Sequence, residues 1–387
     1  MPSPPFSISI LSSAHDPTDE RIYYHFAHSF REKGHAVSII CSSKELNREE
    51  KGISFASFDS SRMGIKSKIR GFYDRLVAFQ PTLVLCQEPM PMIAAFWYKK
   101  MSTSRVKVVY DITEWHPSLT QLKNYPSLVS KILHGIGLGF FNLFMASFAD
   151  AFIFGEMCKR FPYRYLFPFK KSTLIGYYPS PAFFVRPSSL QIKQQEEWVF
   201  GYTGALTKER GIFHFLDAVV ELLQRHPSLR IRLLLIGDFE NARDRELFGR
   251  RVKDHPYIHL SFYPRLDFQA FCQYIHEMDI CFDLREISWE RNNSLPIKLF
   301  YYMACAKPVI YSDLKAIRSD VEEISEFGYL VTPEKSGEIV IALESYLFNP
   351  LLYKKHCEAA ARHFHNTYNW VNLEPKLHDF VDRLIHD

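Results

Sequence analysis

The chain has 387 residues, long enough for two domains that each bury a core. Its 47% hydrophobic and 23% charged residues exclude a disordered chain. A formal charge of +4, with no basic stripe interleaved with aromatics, argues against a nucleic-acid partner.

The seven cysteines (Cys41, Cys86, Cys158, Cys272, Cys281, Cys305, Cys357) are odd in number and scattered, without a C-x-x-C. That pattern favours reduced thiols in a cytoplasmic protein over disulfides or zinc. Residues 1–13 lack the basic start and small-residue cleavage site of a signal peptide.

Residues 6–11, Phe-Ser-Ile-Ser-Ile-Leu, read as a first buried strand. A polar turn over 12–18 leads to Asp19-Glu-Arg-Ile, which starts a helix running to about Lys33, with Gly34 as its stop. Further strands are predicted at 36–41, 53–58, 83–86 and 107–111, with helical stretches between them. Such alternation implies a parallel sheet, whose ligands lie at the carboxyl ends of its strands. Two of those ends carry polar residues, Gln87-Glu88-Pro89 and Asp111-Ile-Thr-Glu114-Trp-His116-Pro117. His116 reads either as a polar residue of a ligand cleft or as a loop surface residue. Ahead of both in chain order stands Lys66-Ser-Lys68-Ile-Arg70-Gly-Phe72-Tyr73-Asp-Arg75. Basic and apolar residues alternate there on a predicted helix, which suits peripheral contact with a membrane face. A solvated helix face that sends Phe72 into the core explains it as well. Residues 135–155 are the most apolar stretch, but Asn142 and Asp150 interrupt the ~20 residues that a membrane span needs. The expectation is a buried helix followed by a strand ending at Phe154, and not a transmembrane segment.

Pro, Ser and Gln cluster from Pro179 to Glu197, which marks an interdomain linker. The organisation is therefore a first domain over 1–180, a linker over 181–197 and a second domain over 198–370. The second half opens with Trp-Val-Phe-Gly201-Tyr-Thr-Gly204-Ala-Leu-Thr-Lys208-Glu-Arg210-Gly211, a strand, a Gly-containing turn and a helix to about Arg225. Without a Cβ, the backbone at Gly204 can approach a phosphate closely. Strands follow at 230–237, 258–262, 280–284, 308–312 and 328–331. Glu286, just past the third of these, is either a sugar contact or a solvated loop acid. Residues 293–308 read Asn-Ser-Leu-Pro-Ile-Lys-Leu-Phe-Tyr-Tyr-Met-Ala-Cys-Ala-Lys-Pro, a loop and a helix running into the next strand. Ser294 suits the helix cap and Pro296 the first turn. Lys298 stands where a helix N-terminus already favours an anion. Tyr301 and Tyr302 continue its face, and Leu299, Phe300 and Met303 make the buried side. An ordinary helix with a surface lysine fits the spacing too.

The order Asn-Ser-Leu-Pro-x-Lys-x-Phe-x-Tyr-Met-Ala-x-x-Lys-Pro-Val-Ile resembles the donor-binding helix of the retaining, GT-B-fold glycosyltransferases of family 4. The segment from Gly204 to Gly211, the Asp19-x-Arg21-Ile start of the first helix and the final Tyr368-Asn-Trp370 resemble that family too. The resemblance implies an α/β, GT-B architecture: two Rossmann-like domains with parallel sheets facing across a cleft, the first completed by a C-terminal helix at 371–387. It implies a glycosyltransferase that moves a sugar from a nucleotide diphosphate sugar to a glycan or lipid-linked acceptor, with retention, in surface polysaccharide or lipopolysaccharide assembly. Arg210, Lys298 and Glu114 are the implied catalytic residues. Gly204, Ala205, Glu286, Asn293, Ser294, Leu295 and Tyr301 would bind the donor, and Asp19, Arg21, Gln87, Glu88 and His116 would face the acceptor. No cofactor beyond the donor substrate is implied, and no Asp-x-Asp motif stands ready for a metal. The chain departs from the family pattern at Gln87 (usually His), Ala205 (Arg), Asn293 (often Glu), Tyr301 (Glu) and Ala306 (Gly). Two other readings follow from those departures and from the fold: a sugar-nucleotide epimerase, and a non-catalytic protein that binds nucleotide sugars.

Overall fold

A computed structural model describes residues 6–123, 125–184, 197–266 and 268–386. The chain divides into two compact units, Met1–Tyr177 with Leu373–Asp387, and Tyr178–Asn372. Of the linker expected at 181–197, residues 185–196 lie outside the described residues.

The strands of the first unit are β1 (Ser7–Ser12), β2 (Ala36–Cys41), β3 (Leu46–Glu50), β4 (Ile53–Ser57), β5 (Leu83–Cys86), β6 (Lys107–Ile112), β7 (Ala151–Phe154) and β8 (Lys171–Leu174). They form one sheet in the order β3-β4-β2-β1-β5-β6-β7-β8. All pairings are parallel except β3 with β4. The central strands are Ile-, Val- and Leu-rich because helices cover both sheet faces. Ile8, Ile10, Leu83, Leu85, Val109 and Ile153 are all fully buried. The two edge strands are not among those predicted. β3 is Leu-Asn-Arg-Glu-Glu and buries nothing fully, while β8 is half exposed. Charged, short edges of this kind prevent further strand addition. The helix predicted from Asp19 begins as a π-helix, Glu20–Ala27, and continues as an α-helix, His28–Glu32. Gly34 ends it with a φ of +88°.

The long apolar stretch differs from expectation. Its strand is present as β7, but the helix before it, Leu128–Ser147, has only Asn142, Met145 and Ala146 fully buried. It is the one helix among the described residues long and apolar enough to cross a membrane. Asn142 holds it to the sheet instead. Its carboxamide accepts from the Tyr110 hydroxyl at 2.8 Å and donates to the Tyr163 hydroxyl at 2.6 Å.

The second unit has β9 (Trp198–Thr203), β10 (Ile231–Ile236), β11 (Ile258–Tyr263), β12 (Ile280–Asp283), β13 (Val309–Ser312) and β14 (Gly328–Val331). All pair in parallel in the order β11-β10-β9-β12-β13-β14. The chain order reverses direction across the sheet at β9 and β12, and such switch points open a crevice at the strands' carboxyl ends. One sheet face packs on the amphipathic helix Ile212–Arg225, through Ile212, Phe215, Leu216, Val219 and Leu222. The other carries the helix Lys298–Ala304, in which every residue from Leu299 to Ala304 is buried. Its expected solvent-facing side is thus also internal. The helix closes with two backbone bonds, Lys307 N–H to Tyr302 C=O and Ala306 N–H to Met303 C=O, both at 2.9 Å. This is a Schellman arrangement, which needs a left-handed residue at Ala306, where φ is +55°.

Candidate active site

The crevice of the second unit is built from three strand ends. β9 runs out at Thr203 into Gly204, whose φ is +102°. The neighbouring turn at Gly237 comes so close that a Cβ there would lie 1.9 Å from the Gly204 carbonyl oxygen. The two turns therefore interlock only without side chains. Lys298 reaches in from its helix. Its ammonium donates to the Thr203 carbonyl and stands 3.9 Å from the Asp283 carboxylate at the end of β12. On the same helix face Tyr302 hydrogen-bonds the Thr203 hydroxyl at 2.6 Å.

Asp283 is also gripped by the Arg285 guanidinium as a fork, with Nε to Oδ1 at 2.7 Å and Nη2 to Oδ2. Both residues are buried. Burial opposes the Asp283 carboxylate, but Arg285, Lys298 and Arg210 outweigh it and hold its pKa below the ordinary value. Lys298 is pulled the other way. Burial of its ammonium, with Arg285 and Arg210 close by, brings its pKa down to about 8 despite Asp283. Arg210 and Arg291 complete the group, the latter 3.6 Å from Glu286. Cations thus outnumber acids around the mouth. The surplus positive charge, with close-approaching backbone at Gly204, makes an anion site.

Beside it lies a cavity of about 490 Å³. Gly204, Ala205, Gly237 and Lys298 form its floor, Leu266, Phe271 and Tyr301 an apolar side, and Asp238, Glu240 and Arg265 a charged rim. Tyr301 is packed between Phe271, edge-on at 5.7 Å, and Phe184, stacked at 6.1 Å. That size suits a small ligand of nucleotide dimensions.

The first unit has its own polar cluster at the ends of β1, β5 and β6. Glu88 accepts from the Ser12 hydroxyl and the Ser13 N–H, each at 2.7 Å. His15 lies between two carboxylates, 3.6 Å from Asp19 and 3.7 Å from Glu88. Burial works against its charged form, yet Asp19, Glu88 and the more distant Glu114 outweigh it and raise its pKa to about 9. Burial in turn pushes the Glu88 pKa up, against His15 and the Ser12 and Ser13 bonds. Gln87 is 1% exposed, and both polar atoms of its amide lack a partner among the described residues. Nε2 of His116 is in the same condition. Burial lowers the His116 pKa, which keeps its ring neutral.

The residues singled out from sequence fall into three groups. Arg210, Lys298, Gly204, Ala205 and Tyr301 meet at the second unit's crevice, with Glu286 beside it through Arg291. Asp19, Gln87, Glu88, Glu114 and His116 sit together at the first unit's strand ends. Others make contacts within their own unit. Arg21 is 0% exposed, forks onto Asp111 at 2.7 and 2.6 Å, and donates to the Ile175 carbonyl. It is an internal strut, which corrects its assignment to an acceptor-facing surface. The cap position of the Lys298 helix falls on Ile297, without a side-chain cap bond, and the Ser294 hydroxyl donates to the Glu290 carbonyl at 2.8 Å. Asn293 likewise donates to the Trp289 carbonyl at 2.7 Å, and Leu295 packs against the apolar cluster under the helix. Sequence reasoning missed Asp283, Arg285, Gly237, Asp238, Arg265 and His15. An Asp-x-Arg at the end of a strand next to the Lys298 helix was the available signal for the first two.

Residues 197–349, within the second unit, match the family model described as Glycosyl transferases group 1. No curated protein sequence matches the chain. Solved structures align over nearly its whole length. Sucrose-phosphate synthase from Thermosynechococcus elongatus superposes with a TM-score of 0.73 at 13% identity, covering 98% of this chain and 99% of its own. A glycosyltransferase from Rickettsia africae gives 0.70 at 14% identity, with 99% of each chain covered. HepE from Anabaena, solved in complex with UDP and glucose, gives 0.68 at 13% identity, covering 97% of this chain and 99% of its own. At these identities the likeness establishes the fold, which is the two-domain GT-B fold.

Proposed function

We propose that the protein is a retaining glycosyltransferase of the family-4 type, taking a sugar from a UDP-linked donor to a glycan or lipid-linked acceptor. The carrying observation is the cation group of Lys298, Arg210 and Arg285 around Asp283, opening onto a nucleotide-sized cavity. Breaking the bond between the anomeric carbon and the β-phosphate oxygen builds negative charge on that oxygen. Fixed cations in a site shielded from water stabilise such charge more than they stabilise the ground state. Lys298 and Arg210 hold the diphosphate, and the Gly204 turn lets it approach the backbone. The base lies against Tyr301 and Phe271. Asp238 and Glu240 on the rim accept from the ribose hydroxyls, which supplies the carboxylate absent at Tyr301. With retention, the acceptor hydroxyl attacks the face the diphosphate leaves, and its proton passes to the departing phosphate oxygen. The His15, Asp19, Glu88 and Gln87 cluster of the first unit orients the acceptor.

The implied setting is the cytoplasm, where such an enzyme would serve surface polysaccharide or lipopolysaccharide assembly. Incubation with a panel of UDP-sugars, with and without oligosaccharide or polyprenyl-linked acceptors, tests the reading. Expected are acceptor-dependent release of UDP and a product whose anomeric proton coupling matches that of the donor. Interconversion of sugar nucleotides without acceptor identifies an epimerase. Binding of UDP-sugars with no turnover on any acceptor identifies a non-catalytic binder.

A further inference from the structure

We propose that the helix Leu128–Ser147 and the segments beside it form a membrane-docking face that lies in the headgroup layer of an anionic bilayer. The proposal is independent of the donor site, and it assigns a partner to a surface that glycosyl transfer leaves unused. Leu128, Leu133, Ile136, Phe140 and Phe144 are all more than half exposed, at 73, 64, 54, 70 and 60%. Soluble monomers rarely leave so large a contiguous apolar area open to water. The helix is about 30 Å long, and Lys131 is its only Lys, Arg, Asp or Glu. Since Asn142 ties it side-on to Tyr110 and Tyr163, it lies along the protein rather than crossing a bilayer.

The apolar surface continues on both sides. Phe144 packs edge-on against Phe148 at 4.9 Å, and Phe148 against Phe96 at 4.3 Å, which leads to the exposed Trp97. Trp97 and Met101 in turn share a groove of about 410 Å³ with Lys66, Arg70 and Tyr73. The basic segment that sequence alone suggested for membrane contact is therefore the rim of this larger face. Its Phe72 is buried, so that segment contributes charge and not an inserted ring. At the same C-terminal end of the helix, Lys170 donates to the carbonyls of Ala146 and Ser147, at 3.2 and 2.6 Å. Next to it Phe169 is 98% exposed.

Charge selects the occupant. Residues 115–149 and 157–184 contain no Asp or Glu, while Lys123, Lys131, Arg160, Arg164, Lys170 and Lys171 lie within them. A symmetric dimer through this face would set one basic fringe against its copy. An anionic lipid surface complements it, with apolar rings below the headgroups and cationic ends among them.

The test is flotation of the full chain with vesicles of phosphatidylcholine containing phosphatidylglycerol, and with phosphatidylcholine alone, at low and high salt. The wild-type protein is expected to float with the anionic vesicles, more weakly at high salt. An Ile136→Ser/Phe140→Ser double variant should bind those vesicles at least about tenfold more weakly, since both apolar contacts with lipid are lost. Circular dichroism and UDP affinity should be unchanged in that variant, because both positions are exposed and outside the donor site. No flotation of the wild type at low salt would overturn the proposal, as would equal flotation of the double variant. So would a dimer in sedimentation velocity without lipid that the same substitutions split. None of these readouts depends on turnover.

Discussion

Replacing Lys298 with Met probes the anion site at its most informative atom. In the free protein its pKa is about 8, because burial and the neighbouring Arg285 and Arg210 outweigh Asp283. A bound diphosphate reverses that balance and raises the pKa. Binding at pH 8 should therefore take up about half a proton, the fraction missing from a group that titrates there. One unit charge about 4 Å away is worth about 4 kcal/mol at an effective dielectric of 20, before desolvation is subtracted. Truncating such a charge typically costs about 2–5 kcal/mol, so Lys298→Met should weaken UDP binding on the order of a hundredfold. Turnover should fall by a similar factor or more. Calorimetry with UDP at pH 8, in two buffers of different ionisation enthalpy, reads both affinity and proton uptake. Wild-type kcat/KM, which reports the free protein, should also decline as pH rises through about 8. If Lys298→Met keeps wild-type affinity and the same uptake, the ammonium does not meet the diphosphate and the site assignment fails.

Three further outcomes are expected. Ala306→Gly should stabilise the protein by about 1 kcal/mol, since Ala306 holds a left-handed conformation that glycine adopts without strain; a urea midpoint that does not rise would contradict this. His15 has a folded-state pKa raised from 6.5 to about 9, so its contribution is complete below 6.5 and lost as pH rises through 9. The stability difference between wild type and His15→Gln should accordingly shrink over that window, by about 3–4 kcal/mol at most, and a difference flat with pH would remove the ion pairs as its source. Glu88→Gln should lower turnover while leaving UDP affinity nearly unchanged, because its carboxylate meets His15 and Ser13 in the other unit; parallel losses of both would tie Glu88 to the donor instead.

Most strands were legible because a parallel strand buried on both faces is a short run of Ile, Val and Leu, as at Leu83–Cys86 and Ile231–Ile236. β3 and β8 were not, since edge strands here bury too little to leave a pattern. The helix Leu128–Ser147 was misread for a reason of the same kind. Apolar composition usually signals burial, and only the packing shows that its apolar side faces outward. Asn142, which looked like an interruption of a hydrophobic run, is the residue that fastens the helix to the sheet. In the site, Lys298 and Gly204 were recoverable because both flank elements of the central strands, and the pairing of β9 with β12 brings them together. Asp283 and Arg285 are an ordinary acid and base two residues apart until that pairing sets them beside Lys298. His15 had a visible i+4 partner in Asp19, but Glu88 is brought to it by the β1–β5 register alone. Arg21 sat at a helix start like a surface residue, and its burial follows from Asp111 on β6.

A crystal grown with UDP measures the central claim most directly. The diphosphate should lie within hydrogen-bonding distance of Lys298 and Arg210, over the Gly204 turn, with the base against Tyr301 and Phe271. Ordered UDP elsewhere on the protein, or a diphosphate turned away from Lys298 and Arg210, would contradict it.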